Sequence, residues 1–207
     1  MGINVESVWF SAGDTETTTN LTDTQTGWSG DTGNWTFTTD EQVYSSQNTL
    51  GTNQRTAIWY SGADVEGAFE VQMQLQNTNT GGWLAVYPAD AQAHFGTTGN
   101  TWGMGMFSDS SNHWASGNPS NLTATGVQFG NTVYAMDEGY TNNTNVGSIS
   151  TSAVYAIKRS ANGTITFETD DVVGYTNDET YTDDMRIGLG SAAEGVYGHY
   201  KYVRLIQ

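Results

Sequence analysis

Residues 154–175 read VYAIKRSANGTITFETDDVVGY. Two short apolar runs, VYAIKR and TITFET, flank Ser160-Ala161-Asn162-Gly163. An Asn-Gly pair between alternating residues predicts a β-hairpin closed by a type I′ turn, with positive φ at both central positions. Alternation puts Tyr155, Ile157 and Arg159 on one face of the first arm and Val154, Ala156 and Lys158 on the other. In the second arm Ile165 and Phe167 share a face, opposite Thr164, Thr166 and Glu168. Thr169-Asp170-Asp171 predicts a second turn and Val172-Val173 a third strand. The reading is an antiparallel meander, which decides an all-β class and leaves function open.

The composition agrees. The chain has 207 residues with 25 Gly and only 2 Pro, and its 36% hydrophobic content is low while 12% is aromatic. Short strands, tight turns and a core of few, large side chains follow from that balance, and 1–207 is read as a single β-sandwich domain. With no cysteine, disulfides and cysteine–zinc sites are excluded. The formal charge of −16 comes from 22 acidic and 6 scattered basic residues. No basic stripe is available to neutralise phosphates, so nucleic acid and membrane partners are not expected. The first residues, MGINVESVWF, lack the basic and apolar regions of a signal peptide. The expected location is a virion surface or the extracellular space.

Outward from the meander, the cleanest alternation is in 65–75, VEGAFEVQMQL, where Phe69, Val71, Met73 and Leu75 share a face. WLAVY at 83–87 is its expected partner beyond an NTNTGG turn. Further strands are expected in 56–60, 104–107, 185–189 and 199–206, and residues 127–129 are expected to pair with 133–136 across Gly130-Asn131. Residues 11–27 are Thr-rich and polar, and are read as a loop, an edge strand or a docking arm. No segment shows sustained helical periodicity.

GAFEVQMQL, YAIKRSANGTITFETDD, MRIGLG and HYKYVRLIQ, in that order, resemble the concanavalin A-like lectin/glucanase superfamily, the laminin-G-type jelly roll. The resemblance covers residues 64–207 and concerns the fold. It implies an antiparallel two-sheet jelly-roll sandwich in which the last strand lies beside the first, pairing 5–10 with 202–206.

Several chemistries were weighed on the residues. Glycoside hydrolysis needs two carboxylates about 5–5.5 Å apart for retention. The glucanases of the superfamily carry Glu-x-Asp-x-Glu on one strand, and Glu168-Thr169-Asp170 matches it only without the closing Glu; Asp64 and Glu66 are likewise only a pair. A polysaccharide lyase would need His and Tyr at a telling spacing plus cations for the uronate; His94, His113 and His199 show no such pairing. The catalytic expectation is therefore none. Calcium, the one cofactor considered, needs hard oxygen ligands from a loop, and Asp183-Asp184 is the preferred pair.

Glycan binding needs an exposed ring with polar neighbours. Trp102, His113, Trp114 and Tyr140 stand in Gly/Asn-rich stretches with Asn112 and Asn143 nearby, and Trp28 and Trp35 form a second set. Three function classes stand. The preferred one is a non-catalytic structural or adhesive surface protein, a phage or virus particle accessory (decoration) protein that binds glycans, with other particle proteins or a second copy of itself as partner. The others are a carbohydrate-binding module of a secreted protein and a diverged glycoside hydrolase or polysaccharide lyase.

Overall fold

The structure, a computed structural model, describes residues 16–45, 56–77, 81–88, 104–109, 132–136, 143–191 and 198–207. The described strands are β1 (Thr18–Asn20), β2 (Trp28–Gly30), β3 (Trp35–Phe37), β4 (Val43–Ser45), β5 (Thr56–Val65), β6 (Phe69–Leu75), β7 (Gly81–Pro88) and β8 (Met104–Asp109), followed by β9 (Thr132–Met136), β10 (Asn143–Ser148), β11 (Val154–Arg159), β12 (Thr164–Thr169), β13 (Val172–Thr180), β14 (Met185–Ser191) and β15 (His199–Ile206). They form two sheets. Sheet A runs β13-β12-β11-β6-β15-β4-β3 with β1 also on β15, and sheet B runs β10-β9-β8-β7-β14-β5-β2. The helical content among the described residues is one 3-10 turn at Thr32–Asn34.

The sheets bury their inner faces against one another. Sheet A contributes Phe69, Val71, Met73 and Leu75, with Tyr155, Ile157, Ile165, Phe167, Val203 and Leu205. Sheet B contributes Ile58, Leu84, Val86, Val133, Ala135, Ile187 and Leu189. The strict alternation of β6, with every second residue buried, is that of a strand with one face on the core. Tyr200 crosses between the layers: its ring stacks on Trp35 and its hydroxyl donates to the Gly190 carbonyl at 2.8 Å. At one side of the sandwich β10 closes over β12 and β13. There Thr169 Oγ1 donates to the Val146 carbonyl at 2.8 Å, and a Cβ on Gly174 would lie 2.7 Å from Val146 Cβ.

The meander forms as read, but its turns exchange types. Only Gly163 of the Asn-Gly pair has positive φ, +88°. The Gly163 N–H donates to the Ser160 carbonyl and the Ser160 N–H to the Thr164 carbonyl, both at 2.9 Å. Arg159 is registered with Ile165, so five residues lie between the paired ends and the tight two-residue turn is ruled out. The two-residue turn with both central φ positive falls instead on Asp170 (+50°) and Asp171 (+61°), between paired Thr169 and Val172. Asp tolerates this conformation because its short side chain bonds locally; here Asp170 Oδ1 accepts the Val154 N–H at 2.9 Å.

Other expectations are corrected by occupied strand edges. Arg204, Leu205 and Ile206 pair with β6 on one side and with Asn20, Thr19 and Thr18 on the other, so both edges of this segment are taken; 5–10 lie outside the described residues. β9 is likewise flanked along its length by β8 and β10; 127–129 also lie outside the described residues. Part of the polar stretch 11–27 is therefore an edge strand, and Leu21 just after it is buried in the core. Trp28 and Trp35 are core residues rather than an exposed platform; Trp28 Nε1 donates to the Leu21 carbonyl at 2.7 Å.

Candidate functional site

The acidic run at the end of β12 builds scaffold. Lys158 Nζ lies 2.8 Å from Glu168, 3.4 Å from Glu70 and 3.2 Å from Asp171, on the outer face of sheet A. Thr166 Oγ1 donates to Glu168 Oε1 at 3.1 Å, and Gln72 Nε2 to Glu70 Oε1 at 2.6 Å. Burial would lower the Lys158 pKa, but the hydrogen bond to Glu168 and the charges around it outweigh burial and raise it above the usual lysine range. Glu168, with its side chain only 4% exposed, is thus neutralised by an ion pair, and Asp170 is held by the Val154 amide. Neither is placed as a free acid or base.

At the end of the sandwich where β5, β7 and β13 finish and β14 begins, one buried cation organises the connections. The Arg159 guanidinium donates to the carbonyls of Gly67 (2.6 Å), Val65 (3.2 Å) and Asp183, and lies 4.8 Å from the Phe69 ring centroid. Burial lowers its pKa, partly opposed by the charges of Asp184 and Asp183. Those two carboxylates are exposed. The pair proposed for calcium therefore sits beside a guanidinium, and no cluster of three His, Cys, Asp or Glu suited to a metal occurs among the described residues.

His199 is held between two amides, with Nε2 3.2 Å from Gln42 Oε1 and Nδ1 3.3 Å from Asn77 Nδ2, and its ring centroid 5.0 Å from that of Tyr44. Burial lowers its pKa. This is the arrangement of a neutral, structural imidazole donating from Nε2 and accepting at Nδ1.

Of the residues expected to bind glycan, Trp102, Asn112, His113, Trp114 and Tyr140 lie outside the described residues. Asn143 is placed, and its position matters. It begins β10 in register with Met136 of β9, at the end of an unbroken row of Cα partners that crosses all seven strands of sheet B: Ser29, Trp59, Gly188, Ala85, Gly105, Met136 and Asn143. Because Leu84, Val86, Ile187 and Leu189 face the core, alternation places this row on the outer face. Another row of Cα partners reads Ala57, Gly190, Trp83, Phe107, Tyr134 and Asn145, and Arg186 is partnered with Tyr87.

Three small residues therefore run side by side through the middle of the sheet, with aromatic register positions on either side. Ala85 is fully buried and Gly188 and Gly190 are buried as well, so the middle of this row is closed to solvent. At one end stands Trp59, half-buried, beside the hydroxyls of Ser29 and Ser61, whose oxygens are 2.9 Å apart. Sequence reading passed over Trp59. The signal that finds it is the alternation within TAIWY: once Ile58 is assigned to the core, Trp59 falls on the opposite face.

No protein-family model matches the sequence, and no curated protein does either. Among solved structures, the chain is similar to the exoplasmic/lumenal domain of VIP36 in its Ca2+- and Man3GlcNAc-bound form, with a TM-score of 0.56 at 18% identity over 91% of this chain and 86% of that one. It is also similar to the metal-free carbohydrate recognition domain of Emp46p (TM-score 0.54, 10% identity, 92% and 87% covered) and to that of Emp47p (0.51, 13%, 88% and 89%). At such identities the likeness concerns the fold: the chain is a concanavalin A-like, antiparallel two-sheet jelly roll.

Proposed function

We propose that the protein is a non-catalytic, glycan-binding surface protein whose outer face of sheet B carries the binding site. The observation that carries this reading is Trp59, half-buried on the outer face of sheet B beside the hydroxyls of Ser29 and Ser61, since sugars stack their apolar faces on rings and direct hydroxyls to nearby polar groups. The carbohydrate recognition domains that share its fold support the same reading. A catalytic role draws no support from Glu168 or Asp170, because the first is ion-paired with Lys158 and the second caps β11.

The finer part of the proposal is that this domain decorates a virus or phage particle or another extracellular surface, with a second copy or other particle proteins as neighbours. The strongly acidic composition supports a soluble, displayed domain, and no helix among the described residues is long and apolar enough to cross a membrane. Calcium at Asp183 and Asp184 belongs to the proposal only with further oxygens, because calcium takes roughly 6–8 ligands and Arg159 opposes it. Binding on a glycan array, lost in Trp59→Ala, tests the lectin reading; absence of binding to every glycan refutes it. Regular arrays of the chain in images of particles test the decoration reading, and hydrolysis of a polysaccharide by the wild-type chain would overturn the non-catalytic one.

A further inference from the structure

We infer that Asn162 is the chain's site of spontaneous amide-to-acid conversion, and that the folded turn withholds the reaction until the β11–β12 hairpin opens. Asn162-Gly163 is the one Asn-Gly pair in the sequence. In such a pair the nitrogen of the second residue attacks the Asn side-chain carbon, because a residue without a Cβ leaves that nitrogen unhindered. Here the bond that forms is Gly163 N to Asn162 Cγ, and the bond that breaks is Cγ–Nδ2. Ammonia leaves with the proton given up by the Gly163 nitrogen, and a succinimide ring remains. Water then opens the ring at one of its two carbonyls, which gives aspartate or isoaspartate at position 162.

The first step needs water access, a free Gly163 N–H, room for that nitrogen to swing toward Cγ, and an unpinned Asn162 side chain. The folded turn meets only the first of these: Ala161 and Asn162 are exposed. The Gly163 N–H is held by the Ser160 carbonyl at 2.9 Å, and the Gly163 carbonyl accepts the Tyr181 N–H at 2.8 Å. Gly163 is buried so closely against Tyr181 that a Cβ would lie 2.7 Å from the Tyr181 carbonyl oxygen. Asn162 Oδ1 is pinned as well, accepting from Ser160 Oγ and, at 3.2 Å, from the Thr164 N–H. Attack therefore waits on a local opening that frees Gly163 from both Ser160 and Tyr181. The isoaspartate product has one more methylene in its main chain. The five residues between paired Arg159 and Ile165 then no longer have the length that the Ser160 bonds close. Loss of ammonia makes each opening that reacts a permanent change.

The test is peptide mapping of the full chain by mass spectrometry after incubation at mildly alkaline pH, folded in buffer and unfolded in urea. The expected result is that Asn162 converts first in the unfolded chain and at least tenfold more slowly in the folded one. The Gly163 amide of the folded chain should also be protected from hydrogen exchange at least tenfold, since exchange and conversion need the same N–H released. Ser160→Ala removes the Oγ bonds to Asn162 and to the Thr164 carbonyl. It should speed conversion at least threefold in the folded chain and leave the unfolded rate unchanged. Isoaspartate chains, separated from unmodified ones, should melt at a lower temperature. Equal rates in the folded and unfolded wild-type chain overturn the gating by the turn, and another asparagine converting first in urea overturns the assignment of Asn162.

Discussion

Replacing Arg159 by Met removes a group that joins the β5–β6 turn to the start of β14. Three carbonyls, of Val65, Gly67 and Asp183, lose a charged donor. A hydrogen bond to a charged group contributes roughly 1.5–3 kcal/mol, so the three set an upper limit of about 9 kcal/mol. Against this, the mutant no longer desolvates a guanidinium, a penalty of several kcal/mol in a protein interior, and Met keeps part of the packing on Phe69. The expected net loss is about 3 kcal/mol, which for a domain of this size lowers Tm by about 6–12 °C. Urea denaturation should show a lower midpoint with an unchanged slope. Arg159→Lys should recover less than half of the loss, because one ammonium cannot span three carbonyls that the planar fork reaches together. A loss below about 1 kcal/mol for Arg159→Met would refute the assignment of Arg159 as the organiser of this end.

Lys158→Met leaves Glu168 buried and Glu70 uncompensated, so it should cost about 3–5 kcal/mol at neutral pH; Lys158→Met combined with Glu168→Gln should be much milder, and denaturation at pH 7 compares them. The pKa of Lys158 is raised above its ordinary 10.5, so its contribution is complete below that value and is lost only as pH rises beyond it. His199 is the group that matters on the acid side. Its folded pKa lies below 6.5 because of burial, so the unfolded chain binds the proton first, and stability should fall as pH drops below 6.5 and level off under the folded value; His199→Gln should flatten that limb of the Tm-against-pH curve. Gly163→Ala forces a side chain into φ +88° and sets a Cβ 2.7 Å from the Tyr181 carbonyl oxygen, so it should cost about 2 kcal/mol or more by denaturation.

Much of the fold was legible because its central strands carry one periodicity each. FEVQMQL alternates cleanly, and VYAIKR and TITFET flank a Gly that the backbone does require at positive φ. The turn type was not legible, since it depends on how many residues remain between the paired ends, and the register of Arg159 with Ile165 is a tertiary fact. The partners of β15 were hidden for a similar reason: Thr18–Asn20 is too polar and short to read as a strand, and it pairs because the Arg204–Ile206 edge would otherwise be unpaired. Of the glycan-binding candidates, Trp102, Asn112, His113, Trp114 and Tyr140 lie outside the described residues. Trp59 and Trp83 sit inside apolar strands, where a tryptophan reads as core until the facing of its neighbours is known. Asn143 was singled out on weak grounds, and strand pairing then placed it at the end of the row.

The two outer faces use their residues in opposite ways. On sheet A, long charged and amide side chains stand on adjacent strands and satisfy one another: Lys158 with Glu70, Glu168 and Asp171, Gln72 with Glu70, Thr166 with Glu168. A face so occupied has little unspent hydrogen-bonding capacity and offers a ligand mainly a closed network whose disruption is costly. On sheet B, the corresponding central positions are Gly188, Ala85 and Gly105, which contribute no such network and little strand propensity. The strands that bear them are held from the core side instead, by Leu84, Val86, Ile187 and Leu189 and by the hydroxyl of Tyr200 on the Gly190 carbonyl. That difference makes the outer face of sheet A a scaffold, including the carboxylates that most resembled catalytic ones: Glu168 is ion-paired with Lys158 and Asp170 holds the Val154 amide.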